Sequence, residues 1–220
     1  MKELRYTLLS DGSSDKALLP LLSWLLKVHL VDYAIQPQWA NLRGLPKLPK
    51  KLSFADRIKL SVDLYPCELL FVHRDAEKEP RQKRVEEIRQ AKEEAGESVR
   101  VPAICVVPVR MTEAWLLFDE VALRRAAANP RGRQPLQLPD LTKLEDKPDP
   151  KELLYKLLGE ASGLGSHRRK KLRVEELVHR VAEFIDDFAS LRAMPAFKAL
   201  EDELKQVIQE QGWCSEAEAR

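Results

Sequence analysis

Two short runs constrain this chain more than any other feature. "ELLFV" (residues 68–72) and "VPAICVVPV" (residues 101–109) are almost wholly apolar. A strand with one wet face alternates apolar and polar residues. A strand apolar throughout is buried on both faces, which calls for helices on either side of a mostly parallel sheet. The segment between them, residues 81–95, is a charged helix pattern stopped by Gly96. Upstream, residues 5–9 read as a first strand. "KALLPLLSWLLKVHL" reads as a helix with Pro20 near its start, and Ser13 or Ser14 can cap it. Val31, Tyr33 and Ile35 alternate as a second strand, and residues 54–64 look helical. Strands alternating with helices predict an α/β fold with a mostly parallel, layered sheet.

From residue 129 to 150 the chain is proline-rich and irregular. Only helical patterns follow, over residues 151–158, 172–188 and 195–211. The expected division is therefore an α/β region, residues 1–128, and a helical region, residues 129–220. With 44% hydrophobic residues in 220, a sizeable core is available, and Trp24, Trp115 and Phe118 are candidates for it. The 33% of charged residues suits well-solvated helix faces. A net charge of +2, from 37 basic and 35 acidic side chains, neither demands nor excludes a polyanionic partner. The longest apolar stretch, residues 17–30, is broken by Pro20, Lys27 and His29 and is too short for a membrane span. No leader peptide is recognisable. Cys67, Cys105 and Cys214 are few, odd in number and widely spaced, so neither a zinc knuckle nor a disulfide framework is expected. A cytosolic protein with no membrane partner is the expectation.

In open parallel sheets ligands collect at the carboxyl ends of the strands, and here those ends are acidic. The first strand runs into "SDGSSD", with Asp11 and Asp15. The "ELLFV" strand runs into "HRDAE", with Asp75 and Glu77. The third runs into "RMTEAW", with Glu113. Clustered carboxylates repel one another unless a cation joins them, and a hard ion such as Mg²⁺ binds through a few carboxylates plus substrate phosphates.

Asp-Gly-x-Ser-Asp after a first strand resembles the Glu-Gly-x-Thr/Ser-Asp signature of the Toprim fold. Asp75-Ala76-Glu77 is similar to that fold's Asp-x-Asp, and "TEAWLL" is similar to a segment of Toprim-like proteins often encoded beside ATPases in phage-defence operons. The likeness covers residues 1–128. It implies a Toprim-like Rossmannoid sheet flanked by helices. It also implies that Asp11 stands for the family's general acid/base glutamate and that Asp15 is a metal ligand. Asp75 and Glu77 would be ligands as well, and Glu113 would match the added acid of OLD-type nucleases. Asp11, Asp75 and Glu113 would then be the catalytic acids and Mg²⁺ or Mn²⁺ the cofactor. Asp11 is one methylene shorter than the family's glutamate, and Glu77 one longer than its aspartate, which alters reach at both positions.

Each segment also has a plainer reading. "SDGSSD" suits a strand-to-helix turn. It falls short of the adhesion motif Asp-x-Ser-x-Ser because Asp15 replaces the last serine, and it lacks the later ligands of an EF-hand. "HRD" has none of a kinase's surrounding motifs. Glu113 suits the first turn of a helix capped by Thr112. His73 is expected to pack at its strand end or to support a ligand. For nucleic acid, the dense basic run "HRRKKLR" offers Arg168, Arg169, Lys170 and Lys171 to phosphates. Arg43, Lys47, Lys50 and Lys51 form a second stretch beside Trp39, which could stack on a base or serve the core.

These readings together predict a Mg²⁺-dependent nuclease. Its substrate would be DNA or RNA, tRNA included, and the resemblance to the Toprim-like proteins implies that it would be the effector of an ATPase-associated phage-defence system. The other class kept open is a catalytically degenerate adaptor that binds the partner ATPase through its helical region. A homo-oligomer is compatible with either.

Overall fold

The computed structural model describes residues 2–45 and 52–213. Four strands form one all-parallel sheet: β1 (Lys2–Leu9), β2 (Tyr33–Trp39), β3 (Leu69–His73) and β4 (Ala103–Val106), in the order β2-β1-β3-β4. Helix α1 (Leu18–His29) joins β1 to β2, α2 (Phe54–Leu64) lies between β2 and β3, and α3 (Arg81–Ala95) between β3 and β4. The chain leaves β1 toward β2 on one side and then returns to β3 on the other. The sheet therefore has a topological switch point between β1 and β3.

β3 and β4 are buried on both faces, as their composition predicts, while the edge strand β2 is only partly covered, and residue parity sorts the two sides. Leu4, Tyr6 and Leu8 of β1, with Leu69 and Phe71 of β3, face α1 and the C-terminal helices. Leu9, Leu70 and Val72 face α2 and α3. After β4 come α4 (Glu120–Ala126), α5 (Pro150–Ala161), the short α6 (Ser166–Arg169), α7 (Val174–Phe184) and α8 (Pro195–Glu210). Their apolar faces complete the first of these cores: Leu154, Val181 and Leu200 share one cluster with Tyr6 and Leu22. Residues after 129 thus form the second layer over the sheet.

Both sheet edges are guarded. The amide of Cys105 in β4 donates to Glu203 Oε2 of α8 (3.3 Å), and β2 carries Pro37. Trp115 is fully buried, while Trp24 and Phe118 are partly buried against Phe188. Among the described residues, no helix is long and apolar enough to cross a membrane.

Two local expectations change. Thr112 does not cap a long helix. Residues Thr112–Leu116 form a 3₁₀ turn, and Asp119 caps α4 by accepting from the Ala122 amide. Neither does Ser13 cap the entry to α1: the chain passes through a 3₁₀ turn, Ser14–Ala17, and Pro20 sits in the first turn of α1, where its missing N–H costs nothing.

Candidate metal centre

The loops after β1 and β3 meet at the switch point, and three side chains converge there. Asp15 Oδ2 lies 3.4 Å from His73 Nδ1, and Asp75 Oδ1 lies 3.2 Å from His73 Nε2. One ligand atom from each of Asp15, His73 and Asp75 falls within 4.8 Å of the others. Each is held in place. Asp15 is buried in the 3₁₀ turn, and its Oδ2 accepts from the Gly12 amide at 2.8 Å. Asp75 Oδ1 accepts from the Thr112 amide (2.9 Å) and hydroxyl (3.3 Å). The Thr112 hydroxyl also lies 3.0 Å from His73 Nε2, so the loop after β4 braces the loop after β3.

His73 Nδ1 is buried without a directed hydrogen bond; the 3.4 Å approach to Asp15 is a charge contact only. Burial alone would favour neutral imidazole. The neighbouring Asp15 and Asp75 outweigh it and push the pKa of His73 up to about 9. Burial likewise pushes Asp15 up, but His73, the Gly12 amide and Ser14 hold it below the usual carboxylate range. Glu113 is buried in the next turn. Burial raises its pKa, and the carboxylates of Asp75 and Asp15 add to the rise, against its own backbone amide and Lys151 of α5.

Asp11 and Glu77 go elsewhere. Asp11 has the parity of Leu9 and so points to the α2 side. There its Oδ1 accepts from Arg57 Nη1 at 2.6 Å. Glu77 has φ of 57°, which turns the chain aside, and its carboxylate lies 3.4 Å from Arg84. Its backbone pairs with Arg110, also left-handed: the Glu77 amide donates to the Arg110 carbonyl at 2.9 Å. Of the five expected ligands, Asp15 and Asp75 therefore meet, Glu113 stands beside them, and Asp11 and Glu77 are drawn off by arginines.

His73 is the member that strand-end acids alone do not identify. Its signal is parity, since residues 69, 71, 73 and 75 share one face. Thr112, expected as a helix cap, caps a carboxylate instead. Among the expected nucleic-acid contacts, Arg43 is exposed in the turn Leu42–Gly44, and Arg168, Arg169, Lys170 and Lys171 are exposed around α6. Lys47, like Lys50 and Lys51, lies outside the described residues. Trp39 donates its indole N–H to Ser10 Oγ at 3.1 Å, which ties it to the loop after β1. Comparison with known proteins finds no matching family model, no similar curated protein and no similar solved structure.

Proposed function

We propose that the chain is a metal-dependent phosphodiesterase acting on nucleic acid, with Asp15, His73 and Asp75 as the ligands of its metal. The observation that carries this reading is the triad itself, in which the buried His73 ring lies between two oriented carboxylates at the switch point and its Nδ1 has no hydrogen-bond partner. The donor set fits a divalent ion. One imidazole with two carboxylates suits Mn²⁺ better than Mg²⁺, which prefers oxygen alone. When bound, such an ion supplies Lewis-acid neutralisation of charge on a scissile phosphate. Thr112 holds Asp75 in its ligating orientation. Glu113, buried beside Asp75 and Asp15 with its pKa raised above the usual carboxylate value, holds a proton at its carboxyl oxygen more readily than an exposed glutamate does. The Toprim-like motifs support a nucleic-acid substrate and a cytosolic effector role beside a phage-defence ATPase.

Mn²⁺ calorimetry with cleavage assays on DNA and tRNA tests the proposal. The expected result is Mn²⁺ binding and Mn²⁺-dependent cleavage, both reduced at least 100-fold by Asp75→Ala. If Asp75→Ala leaves both unchanged, the proposal is lost. One observation favours a second reading, the non-catalytic adaptor. A protonated His73 offsets one of the two charges of Asp15 and Asp75 without any ion, and a chain that binds an ATPase but no Mn²⁺ would be that adaptor.

A further inference from the structure

Two arginines at the carboxyl edge of the sheet share a single aromatic support. The guanidinium of Arg57, from α2, lies 5.8 Å from the centroid of the Phe54 ring, and that of Arg74, from the loop after β3, lies 5.3 Å from the same centroid. Like charges gathered on one ring need an anion between them. Asp11 supplies it, accepting from Arg57 Nη1 at 2.6 Å and lying 3.9 Å from Arg74 Nε. Arg57 also donates to the Ser10 carbonyl (3.2 Å), and Arg74 Nη1 donates to Glu87 at 2.7 Å. All three partners remain in reach of solvent: the side chain of Asp11 is 46% exposed, Arg57 27% and Arg74 30%.

We infer that Arg57 and Arg74 form a phosphate clamp, with Asp11 as the resident anion that an entering phosphate displaces. This inference rests on the phosphodiesterase reading for its substrate. A guanidinium has five donors in a fixed fork, and Arg57 commits two of them to Asp11 and Ser10. Planar forks match phosphate oxygens bidentately. The Arg57–Asp11 pair is only partly buried, with Asp11 half in reach of solvent, so an entering phosphate can exchange with the carboxylate as the partner of the fork. Phe54 fixes the direction of both forks through contacts that an anion does not disturb.

Position gives the clamp its role. Arg74 sits between His73 and Asp75 in the chain, yet its parity sends it to the α2 and α3 side, with Asp11. The acidic triad occupies the other side of the same edge. A nucleic-acid strand crossing the carboxyl edge at the switch point would meet the clamp on one side and the metal centre on the other. The basic run at α6 is not required for that path.

The test is fluorescence anisotropy of a labelled single-stranded oligonucleotide, as DNA and as RNA, in chelator and over a salt series. Because no metal takes part, failure of the clamp is distinguished from failure of the metal centre, which Mn²⁺ calorimetry reads separately. Arg57→Gln with Arg74→Gln is expected to weaken binding about tenfold and to lower the slope of log affinity against log salt by about 0.7, the value for one phosphate on a single strand. Arg57→Lys with Arg74→Lys keeps the charge and should keep the slope while losing several-fold in affinity. Asp11→Asn keeps the shape, removes the competing charge and should bind several-fold tighter, a gain that misfolding does not mimic. Competition by inorganic phosphate against unlabelled oligonucleotide separates a free phosphate from a strand backbone as the ligand's source. Unchanged binding and slope in the double glutamine variant, weaker binding in Asp11→Asn, or no binding of either ligand overturns the clamp.

Discussion

Two aspartates four positions apart, Asp11 and Asp15, have opposite fates. Side chains alternate across a strand, so the continuation of β1 sends Asp11 to the α2 side. The turn that follows brings Asp15 back beneath α1, against His73. The sequence motif names both as ligands, because a string of letters does not show on which side of the sheet a loop places its acids. Parity along "LLFVHRD" does show it, and it puts His73 with Asp75 and Arg74 apart from both. The same histidine makes the site sensitive to pH. Its pKa is raised from 6.5 to about 9, so the protonated form stabilises the fold fully below pH 6.5, and that stabilisation is lost as pH rises through 9. The amount at stake is roughly 3 kcal/mol at most. In chelator, the thermal midpoint should therefore fall by about 5–10 °C between pH 6.5 and 9.5, and His73→Gln should flatten that dependence. A wild-type midpoint that is level over this range would mean that His73 is neutral in the folded chain.

At the scale of elements, the framework was legible and the site's supports were not. α2 and α3 lie where charged, amphipathic patterns predict them, and β3 and β4 lie within the apolar runs. Residues 113–128 carry helix-forming side chains throughout, yet the helix is broken. Asp119 offers its carboxylate to the Ala122 amide and restarts the chain as α4, while Thr112 to Leu117 stay buried as a turn. Tertiary burial overrides propensity there, and no local pattern records it. That turn carries Thr112 and Glu113 at one end and Trp115 in its middle. Trp115 meets Phe197 of α8 edge-to-face, with ring centroids 5.6 Å apart. Phe197→Ala should cost about 3–5 kcal/mol in urea unfolding, because the cavity opens under a fully buried indole. Val121→Ala, at an exposed position of α4, should stay within about 0.5 kcal/mol. If the two variants unfold at the same urea concentration, α8 does not support the turn.

At the scale of the whole molecule, the helices after residue 129 decide whether the sheet can exist. A parallel strand apolar on both sides needs cover on both sides. α2 and α3 cover one face. α1 alone does not cover the other: Leu154 and Leu158 of α5, Val178 and Val181 of α7, and Phe197, Leu200 and Leu204 of α8 join Tyr6, Leu8, Phe71 and Ile104 in one continuous cluster. The site draws on the same layer, since α5 brings Lys151 within electrostatic reach of Glu113. The composition change at residue 129 is real, but the apolar stripes of the later helices have nowhere to go except onto the first half of the chain. A fragment of residues 1–128 would strip Phe197 from Trp115 and Phe188 from Trp24 and Phe118, leaving an apolar surface larger than monomeric proteins tolerate. The full chain is therefore expected to lose secondary structure and tryptophan burial in one coincident urea transition. The 1–128 fragment should show no cooperative transition and should bind a hydrophobic dye. A fragment that unfolds cooperatively and binds Mn²⁺ like the full chain would make the helical layer an accessory to the site instead of part of its foundation.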